Sequence, residues 1–193
     1  MAVARYISHP EAIIDPDVAV DRWVLSERGQ ERLIHLLALP WVAAIGRVVS
    51  SEELKARQTA DALAIRRGLP VETRPGLGEI NRSATEYLPP EEHELVADAC
   101  FAQPDISARG WERAIDAQAR VISALADLFV DAPDADVAVV GHGGVGTLWF
   151  CHLADVPIER RWDQPGQGHY FSVDLSTRRP LHHWRRFEAS ADS

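Results

Sequence analysis

The sequence has only two cysteines, Cys100 and Cys151, and no C-x-x-C pair. That excludes a disulfide scaffold and offers no thiolate pair for zinc or redox chemistry. No stretch approaches the roughly 18 consecutive apolar residues of a membrane span, and the N-terminal MAVARYISHPEA lacks the long apolar core of a secretory leader. The expected setting is the reducing cytoplasm, with no membrane partner. An excess of positive charge is lacking too: Lys and Arg total 20 against 29 Asp and Glu, a formal net charge of −9. A duplex binder needs clustered cations that release counterions from phosphates, so nucleic acid is not an expected partner, although a local basic pocket stays open. No G-x-S-x-G occurs, which leaves an α/β-type serine hydrolase without its nucleophile elbow. His35, His93, His152, His182 and His183 have no partner at ligand spacing, and no metal is expected.

What is present is a foldable chain of 193 residues, 46% apolar and 25% charged, a balance that a disordered segment does not have. Ala2 to Ser8 reads as a short buried strand that Pro10 stops, leaving His9 just past its end. Ser26 caps a helix carrying Leu33, Ile34, Leu36 and Leu37 inward. Ile45 to Ser50 is a second strand. A helix follows from Glu52 to Arg67, capped by Ser50 or Ser51 and closed by Gly68. Val71 to Thr73 is a third strand. Residues 78–110, broken by proline pairs around a helical patch at Glu91 to Phe101, read as an excursion from the sheet.

Beyond the excursion, Trp111 to Val130 has helical spacing through Ile115, Ala119, Ile122, Ala126 and Phe129. The continuous apolar run Val137 to Val140 is a central strand, and Gly143 to Ala154 is the helix after it. His169 to Leu175 and Leu181 to Phe187 suggest a closing hairpin across Thr177 to Pro180. Strands separated by helices imply βαβ crossovers, so the expected fold is a single α/β domain, a three-layer α/β/α sandwich with a mostly parallel sheet and an antiparallel edge. In such sheets chemistry gathers at the carboxyl ends of strands, the address of His9 and His142.

The motifs at those strand ends resemble one family. Ser8-His9-Pro10-Glu11, then Leu25-Ser26-Glu27-Arg28-Gly29, then Ser51-Glu52-Glu53-Leu54-Lys55-Ala56-Arg57-Gln58-Thr59-Ala60, and finally Gly141-His142-Gly143-Gly144 are similar in order and spacing to the histidine phosphatase superfamily, the phosphoglycerate mutase-like branch. The resemblance runs over nearly the whole chain. It implies that His9 takes the phosphoryl group, that His142 stabilises the oxygens of that group, and that Glu79 in Leu77-Gly78-Glu79-Ile80 protonates the leaving oxygen. It also implies a small phosphorylated substrate and no cofactor. Phosphoryl transfer rewards positioning and positive charge, and a carboxyl acts as acid near neutral pH only where burial raises its pKa.

Two departures stand against this pattern. The family's arginine before the nucleophile is Ser8 here, and the second-motif arginine falls on Lys55. A lysine supplies a point charge but not the planar fork that grips two phosphate oxygens. Arg5 does not replace the first clamp, since four residues along a strand is about 13 Å. Arg22, Arg57 and Arg82 are the candidates for the lost charge, with Ser8, Ser51, Lys55 and Gly143 as further substrate contacts. Trp23 and Trp162 are candidate pocket walls, His169 a candidate for its rim, and Trp149 a core residue.

The same peptide supports a competing reading, because Gly141, Gly143 and Gly146 spell G-x-G-x-x-G between a strand and a helix, with Asp163 beyond. The segment after Gly146 offers one helix and an antiparallel hairpin instead of the parallel half that a dinucleotide site needs. Three activities therefore stand beside phosphomonoester hydrolysis: a degenerate member that binds an anion without turnover, a mutase, and a dinucleotide binder.

Overall fold

In a computed structural model the protein is described over residues 2–130 and 135–188. The strands are β1 (Val3–Ser8), β2 (Ile45–Ser50), β3 (Val71–Thr73), β4 (Asp136–Gly141), β5 (His169–Asp174), β6 (Arg179–Pro180) and β7 (Arg185–Arg186). The α-helices are α1 (Glu27–Ala38), α2 (Leu54–Arg67), α3 (Pro90–Ala102), α4 (Ala114–Ala124) and α5 (Gly143–Ala154). One sheet runs in the order β3-β2-β4-β1-β5-β6, with β7 also on β5. Pairs β2–β3, β2–β4 and β1–β4 are parallel. All pairings of β5 are antiparallel. The fold is the α/β sandwich expected, with its antiparallel edge.

Alternation along the strands builds two cores. On one face Tyr6, Val137, Val139, Phe171 and Val173 pack against Val121 of α4 and Val145, Trp149 and Leu153 of α5. On the other, Ile7, Val48, Ala138, Val140 and Tyr170 meet Leu36 of α1 and Ala56, Ala60 and Leu63 of α2. A third cluster, of Ile80, Val96, Ala97, Phe101, Trp111 and Leu148, ties the excursion to α5. Residues 78–110 contain no assigned strand, and their helix is α3.

Several boundaries differ from expectation. The α2 N-cap is Glu53 with no side-chain cap, and Ser51 Oγ instead accepts from Glu53 N–H at 3.2 Å. Ser26 caps α1 as expected, accepting from Gly29 N–H at 3.1 Å. Ile34 is 69% exposed and Ile115 47% exposed, so neither faces a core. The helix after Trp111 begins at Ala114 and gives way to a 3-10 turn at Ala126–Phe129. Of the segment Leu181 to Phe187, only Arg185–Arg186 pairs, while β6 is formed earlier, inside the predicted turn. The reason is side-chain bonding. His182 shares a hydrogen bond with Ser172 Oγ at 2.8 Å, and His183 donates to Trp162 O at 3.1 Å, which holds this peptide by its imidazoles rather than by a ladder.

Two glycines of the G-x-G-x-x-G peptide serve packing. A Cβ on Gly141 would overlap the Tyr6 hydroxyl, and one on Gly146 would overlap Tyr6 Cε1 and lie 2.9 Å from Trp184 Cη2. Tyr6 is fully buried and stacked on Phe171, so it cannot yield. Gly146→Ala should therefore destabilise the fold by about 1–3 kcal/mol, read as a lower midpoint in thermal denaturation; an unchanged midpoint would show that Tyr6 can move.

Candidate active site

Strands β1 and β4 are parallel neighbours with Ser8 opposite Gly141. His9 and His142 are the next residue on each chain, so both leave the sheet at the same level and edge. His9 N–H donates to Gly141 O at 3.2 Å, which ties the two strand ends together. The imidazole centroids are 5.2 Å apart with the planes at 70°. Both rings line one cavity of about 570 Å³, together with Lys55, Glu79, Arg82, Gly143 and Gln164 among others. His9, His142, Glu79, Lys55, Arg82 and Gly143, expected from sequence to share a site, are brought together there.

Hydrogen bonding sets the His9 tautomer. A carbonyl only accepts, so His9 Nδ1 carries the proton that it donates to Pro10 O at 2.8 Å, and Nε2 keeps the lone pair. His142 Nε2 lies 2.9 Å from Ser51 Oγ, and that hydroxyl already accepts from Glu53 N–H. His142 Nε2 also lies 3.4 Å from Glu53 Oε1, while His142 Nδ1 is buried with no hydrogen-bond partner among the described residues. Burial, then His142, then Lys55 push the His9 imidazole down to about 3. Burial and the nearby Lys55, Arg82 and Arg120 hold His142 well below the ordinary histidine range. Both rings are neutral near pH 7, and His9 Nε2 has a free lone pair.

Glu79 sits across from them. Its carboxylate accepts from Gly144 N–H at 3.1 Å and Val145 N–H at 2.9 Å, at the N-terminus of α5. It also accepts from its own neighbour Ile80 N–H at 2.9 Å. Burial raises its pKa above the usual carboxylate value, against the pull of these N–H groups. The N-terminus of α5, whose N–H groups and dipole suit an anion, is therefore occupied by a side chain of the protein. The dinucleotide reading falls with it. Asp163, its proposed ribose contact, is held by Thr147 Oγ1 at 2.9 Å and Arg160 at 3.0 Å, and the chain after α5 returns as antiparallel β5.

The two positions where arginine was expected, Ser8 and Lys55, have distinct surroundings. Ser8 is fully buried and is not on the cavity wall. Its hydroxyl accepts from His169 N–H at 3.1 Å and donates to Gln164 Oε1 at 2.5 Å. That leaves the Gln164 amide nitrogen, which makes no hydrogen bond among the described residues, on the wall beside Gly143. Sequence reasoning missed Gln164, since a glutamine in a Pro/Gly loop carries no signal of its own. It also missed Tyr6, whose hydroxyl bridges the backbone N–H and C=O of His142, each at 3.2 Å.

Lys55, the only lysine in the chain, is 4% exposed. It donates to Val20 O at 2.8 Å and is ion-paired with Glu53. Arg82 lines the cavity, lies 5.7 Å from the Trp23 ring and makes no ion pair among the described residues. Other expectations need correction. Arg22 is exposed on a 3-10 turn whose Val20 is its inward residue, and it does not reach the cavity wall. Arg57 pairs with Asp61 at 3.4 Å on the outer side of α2. Ser51 acts through His142 rather than at the wall. Trp162 packs on Phe150 and His183, and His169 is buried under the rim at 2% exposure. Arg5 is spent on Asp136 at 3.4 Å, as its distance along β1 required.

The sequence profile of the histidine phosphatase superfamily, branch 1, matches residues 21–183. The chain belongs to that superfamily. Among solved structures of histidine phosphatase fold, a mycobacterial glucosyl-3-phosphoglycerate phosphatase with inorganic phosphate is 20% identical, with a TM-score of 0.81 over 98% of this chain and 100% of the other. An α-ribazole phosphatase from Shigella flexneri is 20% identical, with a TM-score of 0.77 over 99% and 100%. Bacillus stearothermophilus YhfR is 19% identical, with a TM-score of 0.78 over 98% of each chain. No curated protein matches. At such identities the structural likeness carries the fold alone. Among the described residues of this histidine phosphatase family member, no helix is long and apolar enough to cross a membrane, and no group of three or more His, Cys, Asp or Glu is gathered as a metal site.

The two rings give a direct expectation. In ¹⁵N NMR, neither His9 nor His142 should titrate near the ordinary histidine value, and His9 should be in the Nδ1–H form. A titration of either ring near the ordinary histidine value would overturn the assignment.

Proposed function

We propose that the protein is a phosphomonoesterase acting through a phosphohistidine at His9. The observation that carries the reading is the pair of neutral imidazoles 5.2 Å apart in one cavity whose wall also holds the half-buried Glu79 carboxyl. His9 Nε2, with its free lone pair, forms the N–P bond while the ester P–O bond breaks. Glu79 in its acid form gives its proton to the leaving oxygen. Water then attacks the phosphohistidine and Glu79, now a carboxylate, takes a proton from that water. The N–P bond breaks, phosphate leaves and His9 returns neutral. Lys55, Arg82 and the Gln164 amide supply donors for the phosphoryl oxygens beside the His142 ring, two of them charged.

The walls speak to the substrate. Trp23, Tyr87, Leu88, Phe101 and Trp111 line the outer cavity. Arg160, also on that wall, is committed to Glu94 at 2.5 Å, Asp98 at 3.2 Å and Asp163 at 3.0 Å. Among the described residues, a second anionic group on the substrate would have to share Arg82 with the phosphoryl group. This favours a monophosphate ester with an uncharged, largely apolar leaving group, and it disfavours a mutase, whose intermediate carries two phosphates.

Hydrolysis of 1-naphthyl phosphate, with His9→Ala as control, tests the reading. Turnover in the parent should drop about a thousandfold or more in the variant, and rapid acid-free quenching should leave a phosphoryl group on His9 detectable by mass spectrometry. Turnover that survives in His9→Ala refutes it. Inactivity in both, with phosphate still bound, supports the anion-binding alternative that the tied-up Lys55 keeps open.

The acid should show itself in the pH profile. Because burial raises the Glu79 pKa, its acid form persists to higher pH than an ordinary carboxyl and is lost as pH rises through the raised value. kcat should fall on that alkaline side. Glu79→Gln should lower kcat by about 10²–10⁴-fold and flatten the limb; a limb that persists in the variant belongs to another group.

A further inference from the structure

The carboxylate of Glu53 stands at the centre of the cation arrangement, yet it touches the cavity from behind. It does not line the 570 Å³ cavity but an adjacent one of about 620 Å³, which shares Glu79 and Arg82 as its wall. One oxygen, Oε2, is bonded to the Lys55 ammonium. The other, Oε1, accepts from Glu79 N–H at 2.7 Å and lies 3.4 Å from His142 Nε2. The Lys55 and Glu53 side chains are 5% and 14% exposed, so the pair is poorly screened by solvent. Val20 O takes another Lys55 N–H at 2.8 Å, and an ammonium has three. A phosphoryl oxygen entering beside His9 therefore meets a lysine whose charge is already matched by a carboxylate and which has one N–H left.

The geometry points to Glu53 as an internal competitor for Lys55: a specificity-determining residue that weakens the hold on free phosphate by balancing the only lysine of the cradle. The inference rests on the phosphatase reading in that it takes the cavity as a phosphoryl site. A carboxylate fixed a bond's length from the ammonium lowers the local potential felt by a dianion. The structure also shows why the carboxylate is tolerated so near an anion site. Its second oxygen holds the backbone of the Glu79 segment, so Glu53 joins the lysine to the acid loop. An enzyme must release its product, and a cradle of balanced charge releases phosphate more readily than one of bare cations.

The test is binding of inorganic phosphate by isothermal titration calorimetry to the parent, Glu53→Gln, Lys55→Gln and the double variant. Glutamine keeps an amide oxygen for Glu79 N–H while removing the charge. Glu53→Gln should tighten phosphate by about five- to tenfold, and the gain should vanish when Lys55 is also glutamine. Lys55→Arg provides a second route that leaves Glu53 in place: a guanidinium can hold Glu53 with one edge and offer further N–H groups to phosphate, so it too should tighten binding. An unchanged or weaker affinity in both Glu53→Gln and Lys55→Arg overturns the inference, as does a gain in Glu53→Gln that persists without Lys55. These outcomes are independent of hydrolysis. Loss of the His9-dependent turnover test removes the phosphatase reading, whereas a flat affinity series with His9-dependent turnover intact removes only the role of Glu53.

Discussion

The parallel pairing of β1 with β4 is the constraint on which the site depends. Ser8 opposite Gly141 fixes the register, and the side-chain period of two makes that register costly to slip, because a shift of one residue would turn Tyr6, Val137 and Val139 out of their core. With the register fixed, the residues that follow each strand must emerge side by side. Two imidazoles 133 residues apart in sequence, 142 − 9, are brought to 5.2 Å without any contact between their own side chains having to pay for it. Tyr6 secures the arrangement from below. Its hydroxyl bridges the His142 backbone, and the glycines at 141 and 146 exist at the positions where a Cβ would collide with its ring.

From that placement the electrostatics follow. Deep burial keeps both rings neutral, so the positive charge of the site has to come from elsewhere. The helix dipole of α5 is not free to supply it, since Glu79 covers the Gly144 and Val145 N–H groups. What the helix does instead is orient the carboxyl. A group that is desolvated, yet held by three backbone N–H groups, is fixed in direction while its proton affinity stays raised, which suits a proton donor better than an anion receptor. On the proposed reading, the charge that meets a phosphoryl group comes from Lys55 and Arg82, with the amide of Gln164 as a neutral partner on the same wall.

Much of this was legible in the residues. The apolar run Val137 to Val140, the glycines after it and His9 beyond β1 gave the sheet and both histidines, because strand ends and helix starts are governed by local chemistry. Less was legible where tertiary bonding overrides local pattern. Leu181 to Phe187 has strand composition, but imidazole hydrogen bonds to Ser172 and Trp162 shape it. Ile115 and Ile34 have helical spacing but stand at the edge of the apolar stripe, in solvent. Arg22 and Arg82 are indistinguishable as sequence; only the fold shows that the first lies on an exposed turn and the second on Trp23 at the cavity wall. Gln164 and Glu53 carried no comparable signal, since Gln164 meets Ser8 and Glu53 meets the Glu79 backbone only once the chain is folded.

The two replaced clamps are not equivalent gaps to be refilled. Ser8 is a knot: with 0% exposure, its hydroxyl joins the end of β1 to the start of β5 and to the 164–168 loop, and Gln164 occupies the space against Gly143. An arginine at position 8 would need volume that Gln164 fills and would break both hydrogen bonds, so restoring the family residue there alone costs packing before it adds charge. Lys55 is different, because the position already holds a cation directed at the cavity and lacks only the fork. The two substitutions therefore sit on different links of the chain from sequence to chemistry. One has been absorbed into the scaffold and replaced by a neutral amide donor; the other has stayed in the site, where a neighbouring carboxylate sets its strength.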